Sequence, residues 1–443
     1  MIDLLRKYTS SFLSRLGNVA LQVKSVLSKL TLCRTEALLG RLYECPNCHQ
    51  RCGVYNSCGD RHCPQCSGAR RADWLDRSSQ LVLANIDYFQ VVFTIPDRLS
   101  RLVLGNRREL YRLLFRSAWQ AIKHELEAQQ IDPAALLVLH TWNQELHHHP
   151  HIHALVPGTG PSRNQDNDPC WVTARDATRP WRNKPSLVDN VTLGRTFRDK
   201  FVRGLGWLIR NQRLKLTEEW QILQDPKVLR PWLKSLRETD WNVFIEGPPD
   251  GQSDPQDVLK YLTRYVTGGP ISDQRIESDE NGIVTFLARS KSKGNSKNKQ
   301  PRRINVPGAE FVRRWSLHIL PKGFVRCRAY GGYHGSRRKA YLEICRQLLP
   351  PSQPTTDEPA TDSIPPAEIA QLPASPLCPR CQIEMECIAF APRPSWREIF
   401  GEQRARTLSR AWNQAEPLCA IPTSHNGSRL EHRSLASIPK PDD

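Results

Sequence analysis

His151 and His153 belong to a run of five imidazoles within seven residues, His147-His-His-Pro-His151-Ile-His153. In an extended strand alternate side chains share a face, so these two imidazoles point one way while Ile152 turns the other. With a third polar group they can hold one divalent ion and leave positions open for phosphate oxygens and water. His-x-His is also common among hydrogen-bonded surface histidines. A second pair, Tyr261 and Tyr265, falls in a predicted helix over 255–267. Asp254 is a good N-cap, Pro255 suits the first helical position, and Gly268-Gly269-Pro270 stops the helix. Val258, Leu259, Leu262 and Val266 make its apolar stripe, and Lys260 and Arg264 lie opposite. At i and i+4 the two phenols are neighbours, about 6 Å apart along the axis. They either extend the core stripe or serve as paired nucleophiles.

Cysteines supply a third constellation. Six fall between Cys45 and Cys66, as Cys45, Cys48, Cys52, Cys58, Cys63 and Cys66. Cys45-Pro-Asn-Cys48 and Cys63-Pro-Gln-Cys66 can each offer two thiolates, so tetrahedral Zn²⁺ held by these four is the simplest expectation. A closed thiolate site has no open position, and its role is structural. His49, Cys52, Cys58 and His62 could complete a second site. Cys378, Cys381 and Cys387 could form another knuckle, although no fourth ligand is evident.

The elements that must carry these groups are legible from periodicity. Residues 1–44 have leucines at helical spacing, which predicts a small helical collar before the cysteines. A β-branched and aromatic run over 88–95 predicts a strand stopped by Pro96, and 99–128 a long helix. Residues 135–142 and 151–157 predict two neighbouring strands. A surface loop follows over 158–185, then a helix over 193–216 and strands over 241–246 and 282–288. With eight prolines and no basic residue, 350–376 is a linker. The expected domains are 1–97, helical and zinc-binding; 98–345, catalytic with a basic extension; the linker, 346–376; and a tail, 377–443.

The chain has 443 residues and a net charge of +18, enough for two or three domains with a real core. No stretch reaches the roughly 18 apolar residues that span a bilayer, and the N-terminus leads into no signal-like segment. Neither an integral membrane protein nor a secreted one is expected, and the clustered cysteines point to metal in a reducing cytosol. Residues 289–339 hold 15 Lys and Arg against the single acid Glu310. Such a block fits a polyanion, with nucleic acid first and Arg302, Arg303, Arg313 and Arg314 among its contacts.

Several motifs occur in one order: the cysteine cluster, His140-Thr-Trp-Asn-Gln144, His149-Pro-His-Ile-His153-Ala-Leu-Val-Pro157, Tyr261-Leu-Thr-Arg-Tyr265, Leu320-Pro-Lys-Gly-Phe324 and Arg328-Ala-Tyr330-Gly331. In these the sequence, from about residue 4 to 345, resembles the IS91 family of transposases, HUH endonucleases with two tyrosines. The resemblance implies an α+β fold, a palm with a central antiparallel sheet and flanking helices behind a helical, zinc-binding module. It implies a cytoplasmic, nucleoid-associated prokaryotic enzyme that cuts single-stranded DNA at the ends of its own element and joins it to target DNA by rolling-circle transposition. His151 and His153 would bind Mg²⁺ or Mn²⁺. Gln144 is the expected third ligand, with Glu145 and His149 as alternates. Tyr261 or Tyr265 would attack phosphorus to give a 5′-phosphotyrosine. Lys260 and Arg264 would steer the phosphate backbone, an expectation from their position rather than from the family. Two alternatives share many features: a plasmid replication initiator or relaxase of the same chemistry, and a zinc-containing DNA binder without chemistry. The sequence has no Gly-x-x-x-x-Gly-Lys-[Ser/Thr] loop for a fused helicase, and a mere binder has no use for the paired histidines and tyrosines.

Overall fold

The protein is described here by a computed structural model covering residues 1–15, 17–67, 74, 78, 81–83, 86–162, 169–174, 187–247, 269–289, 301–349, 375–400 and 416–417. In chain order the elements are α1 (Ile2–Arg15), α2 (Leu21–Thr31), β1 (Gly40–Glu44), β2 (Arg51–Tyr55), β3 (Tyr88–Thr94), α3 (Ser100–Gly105), α4 (Arg107–Glu127), β4 (Ala134–Trp142), β5 (His148–Pro157), β6 (Thr159–Pro161), β7 (Trp171–Thr173), α5 (Asn190–Arg210), α6 (Pro226–Glu238), β8 (Val243–Glu246), β9 (Ile276–Glu280), β10 (Ile283–Ala288), β11 (Arg302–Pro307), α7 (Gly308–Ser316), β12 (Cys327–Gly331), α8 (Arg338–Leu348), β13 (Glu386–Phe390), α9 (Trp396–Phe400) and β14 (Glu416–Pro417). They form two compact units. One comprises Met1–Thr31 with Leu75–Pro359, the other Leu32–Trp74 with Ala360–Asp443.

The larger unit is built on an antiparallel sheet in the order β12-β4-β5-β3-β8. Its strands alternate between two faces. Phe89, Val91, Phe93, Leu137, Leu139, Ile152, Ala154 and Val156 point to one side, where they are buried with Leu110, Leu114, Phe115 and Ala118 of α4 and Phe197, Phe201 and Leu205 of α5. The opposite face carries the histidines. The fold is thus mixed α+β, with a central antiparallel sheet, flanking helices and an N-terminal cysteine-rich zinc-binding module.

Local sequence explains several of the helix boundaries. Asp189 caps α5 by accepting from Thr192 N at 2.7 Å, and that helix runs from 190 to 210 rather than to 216. The expected helix over 99–128 is two helices, because Asn106 leaves the helical region (φ −128°) and turns its amide to the main chain of Lys215 and Leu102. Asp225 caps α6, with Pro226 in the first turn, a helix-start signal that stands in the sequence itself.

The helical collar needs correction at its end. Residues 40–44 form strand β1, because Leu39 takes φ +53° and Gly40 enters the pairing with β2. Residues 1–31 also pack with the larger unit rather than with the cysteines. Tyr8 donates to Asp279, Gln22 Nε2 donates to the Leu320 carbonyl at 2.6 Å, and a side chain at Gly308 would meet the Tyr8 ring. Within the expected loop over 158–185, the described residues include the small β6–β7 hairpin.

Candidate active site and metal centres

Strand register decides which histidines meet. Across β4 and β5, His140 lies directly opposite His151 and Val138 opposite His153. Directly opposed residues and residues two apart on one strand project to the same face. His140, His151 and His153 therefore share the face away from the helices, and their ligand nitrogens all lie within 4.8 Å of one another. The ring centroids are 5.4 Å apart for His140 and His151, 4.5 Å for His140 and His153, and 5.0 Å for His151 and His153.

Each of the three is held in place. The His151 Nδ1–H donates to the His149 carbonyl at 2.7 Å, which leaves Nε2 with its lone pair. The amide of Gln90 lies 2.6 Å from His153 Nδ1, and Gln90 is itself buried. His140 stacks on Trp142, centroids 4.6 Å apart and planes 19° apart, while Arg326 sits over the other ring system at 4.9 Å from the Trp142 centroid. Burial, first, pushes the imidazole of His151 down to about 4 and that of His153 down to about 3; the positive charge of Arg326 acts the same way on both. Both are neutral at neutral pH, the state a metal ligand requires.

The remaining imidazoles of the cluster have other partners. His148 is buried between Tyr111, whose hydroxyl is 2.8 Å from Nε2, and Ser100, whose oxygen is 3.0 Å from Nδ1. Ser100 gives its only hydroxyl proton to the His148 carbonyl at 2.6 Å, so Nδ1–H must donate to Ser100 and Nε2 accept from Tyr111. His149 pairs with Asp97 at 2.8 Å. Gln144 and Glu145, the other sequence candidates for a ligand, sit in the turn between β4 and β5. Gln144 is exposed, and its carbonyl accepts from Arg275 at 2.6 Å; Glu145 is ion-paired to Arg302. The three-nitrogen group forms without either. His140 is not legible as a ligand from sequence, since a single histidine inside an apolar strand carries no spacing signal.

That turn is fastened from several sides. Asn143 Oδ1 accepts from the main chain of Glu145 and His147, both at 2.9 Å. Leu146 takes φ +63°, and its carbonyl accepts from His318 Nε2 at 3.1 Å. Arg314 reaches the Glu145 carbonyl at 3.2 Å. The arginines expected to meet DNA are each paired with carboxylates: Arg302 with Glu145, Arg303 with Glu277 at 2.7 Å, and Arg313 and Arg314 with Glu310 at 2.5 and 2.7 Å. Two guanidinium groups hold the Glu310 carboxyl down to about 2. Arg303 has the most open side chain of the four, 73% exposed, and Arg314 the least, 17%.

Tyr261, Tyr265, Lys260 and Arg264 lie outside the described residues. Strand β8 leads towards them in sequence. It pairs with β3 so that Phe244 is opposite Val92 and Glu246 opposite Gln90, on the histidine face, and Phe244 is 57% exposed there.

The cysteines sort differently from the sequence expectation, in which Cys45, Cys48, Cys63 and Cys66 surround one ion. The two Cys-Pro-x-Cys turns belong to separate groups, Cys33 with Cys58, Cys63 and Cys66, and Cys45 with Cys48, Cys378 and Cys381. Among the described residues no cysteine is in a disulfide. In the first group Cys33 and Cys63 Sγ are 3.5 Å apart, Cys33 and Cys66 3.6 Å, and Cys58 and Cys66 3.7 Å. Thiolates about 2.3 Å from a tetrahedral zinc lie roughly 3.8 Å from one another, so this donor set fits structural Zn²⁺. Cys33 escaped the sequence reading because it stands alone, far from any Cys-x-x-Cys pair.

Comparison with known proteins agrees with both parts. Residues 135–340 match the family described as "Putative transposase", and residues 4–95 match the transposase zinc-binding domain of the IS91 type. The chain is 34% identical over 364 residues to "Putative transposase y4qJ" of Sinorhizobium fredii, covering 80% of this chain and 85% of that one. It is 25% identical over 345 residues to the transposase for insertion sequence element IS801 of Pseudomonas savastanoi pv. phaseolicola, covering 74% and 73%. No solved structure matches, and no helix among the described residues is long and apolar enough to cross a membrane. The chain belongs to the IS91 family of transposases, enzymes that process DNA.

Proposed function

We propose that this transposase nicks single-stranded DNA at the ends of its own element through Tyr261 or Tyr265, beside a divalent ion held by His140, His151 and His153. The observation that carries the proposal is the three-imidazole group on the sheet face opposite the one against which α4 and α5 pack. His140 takes the third place in preference to Gln144, because register sets it against His151. Three imidazoles suit Mn²⁺ better than Mg²⁺, which prefers oxygen ligands. When bound, the ion would polarise the scissile phosphate and stabilise its growing charge.

The chain supplies the rest. Neutral His151 and His153 offer lone pairs without first losing a proton, and His149 and Gln90 fix how their rings turn. Strand β8 is two strands from β5, about 10 Å across the sheet, and the chain runs fifteen residues beyond Glu246 to Tyr261. A chain of that length is long enough to bring Tyr261 and Tyr265 to the histidine face. The phenolic oxygen would form a bond to phosphorus as the bond from phosphorus to the 3′ oxygen breaks. The phenol's proton ends on that 3′-OH, and the 5′ phosphate stays on tyrosine, so the diester's energy is kept for strand transfer. The second tyrosine allows a second strand to be cut while the first is held.

Incubation with labelled single strands from the flanks of its own gene and Mn²⁺ should give a covalent protein–DNA adduct. Replacing both Tyr261 and Tyr265 by Phe should abolish the adduct and leave binding intact. An adduct that survives in the double variant would overturn the tyrosine assignment.

A further inference from the structure

The match to the zinc-binding family ends at residue 95, so it takes in Cys45 and Cys48 but not Cys378 and Cys381, which complete a second thiolate group with them. We propose that these four thiolates form a second structural zinc site, a clasp that makes residues 378–390 an integral part of the zinc-binding module.

Three observations converge on it. The two half-sites are built alike. In Cys45-Pro-Asn-Cys48-His49-Gln50, His49 N donates to the Cys45 carbonyl and Cys45 N to the Gln50 carbonyl, both at 3.0 Å. In Cys378-Pro-Arg-Cys381-Gln382-Ile383, Gln382 N donates to the Cys378 carbonyl at 2.9 Å and Cys378 N to the Ile383 carbonyl at 2.8 Å. The residue after each second cysteine takes a left-handed backbone, φ +54° at His49 and +57° at Gln382. Two segments distant in sequence thus share one turn geometry around their paired cysteines.

The sulfurs are also spaced for one ion. Cys48 and Cys378 Sγ are 3.6 Å apart, close to the roughly 3.8 Å expected around tetrahedral zinc and too far for the 2.05 Å or so of a disulfide. Asn47 Nδ2 lies 3.4 Å from Cys381 Sγ and can donate to it, as suits a sulfur carrying negative charge.

Finally, the site is framed. β13 pairs with β1, setting Tyr43 against Cys387 and Glu44 against Glu386, and Tyr43, Cys52 and Met385 pack with the buried Cys45 and Cys378. Cys387, grouped with Cys378 and Cys381 from sequence, is exposed and lies outside the four. The fourth ligand missing from the C-terminal knuckle, and the third, come from 330 residues away.

Metal analysis of the full-length protein, purified without chelator, should find two zinc ions per chain. Cys378→Ser with Cys381→Ser should leave one, and Cys387→Ser should keep two. A second measurement needs no variant. In the native protein, Cys378 and Cys381 should resist alkylation, read by peptide mass spectrometry, and become reactive when a strong chelator strips the zinc. One zinc per native chain, or equal alkylation of Cys378 and Cys381 with and without chelator, would overturn the proposal.

Discussion

His140 faces His151 across the β4–β5 pair, with ring centroids 5.4 Å apart and planes 79° apart. An arrangement in which one ring meets another edge-on, with a third ring close to both, leaves the nitrogens converging on a common point. If that point is the ion site, His140→Ala should lower metal-dependent nicking by at least about 100-fold, as loss of a ligand does when loss of its supporting partner alone costs 10–100-fold. Gln144→Ala should stay near wild type. Nicking rates measured across a Mn²⁺ titration separate the two, and a Gln144→Ala defect larger than that of His140→Ala would transfer the role.

Buried histidines couple stability to acid, His148 and His318 in the same sense as His151 and His153. Burial pushes His148 down to about 4 and His318 down to about 3, against about 6.5 in an unfolded chain. Below pH 6.5 the unfolded chain takes up protons that the fold refuses, so stability is lost as pH falls from about 6.5 towards 4 and is unaffected above 7. At pH 5 each contributes about 2 kcal/mol of destabilisation relative to pH 7. Urea unfolding at the two pH values checks this, and His318→Asn should flatten the dependence while lowering stability at pH 7, because Thr141 and the Leu146 carbonyl lose a partner.

The arginines should divide by exposure. Replacing Arg303 by Ala should weaken single-stranded DNA binding and reduce the slope of log affinity against log salt by about 0.7. Arg314→Ala should act on stability instead, since that side chain is mostly enclosed and holds Glu310 and the Glu145 carbonyl. Binding isotherms at several salt concentrations, with a thermal melt of each variant, would show the opposite pattern if the roles are reversed.

Gly331 ends β12 with φ +59°, and an added Cβ would fall 1.9 Å from the Pro133 carbonyl oxygen. Gly331→Ala should therefore cost about 3 kcal/mol through left-handed strain and backbone overlap together. The loss should appear as a lowered melting temperature; an unchanged melt would mean that β12 can detach from β4 at little cost.

The palm was legible where its signal is local. β-Branched, aromatic and apolar runs over 88–95, 135–142 and 151–157 marked β3, β4 and β5, whereas α6, α7 and α8 lie outside the expected elements and α5 ends six residues before the expected 216. Groupings that depend on register or on distant segments were not legible. His140 acquires its partners only when β4 and β5 align, and nothing in its own neighbours sets it apart from a core strand residue. Cys33 and the pair Cys378 and Cys381 are brought to their sites by tertiary packing, so local spacing led to Cys45, Cys48, Cys63 and Cys66 as one set. The paired tyrosines were argued from helical spacing and resemblance, and they fall outside the described residues.

The discontinuity of the smaller unit has a consequence for biosynthesis. β1 leaves the ribosome early, but β13, its neighbour in the sheet, follows only after the whole palm has been made. At 5–20 residues per second that interval is on the order of half a minute. Throughout it Cys45 and Cys48 must stay reduced and uncommitted to wrong partners, and a nascent chain stopped between about residues 360 and 378 would hold every residue of the larger unit but only half of the thiolate group. Only when β13 has been made can β1 gain this neighbour and Cys45 and Cys48 meet Cys378 and Cys381.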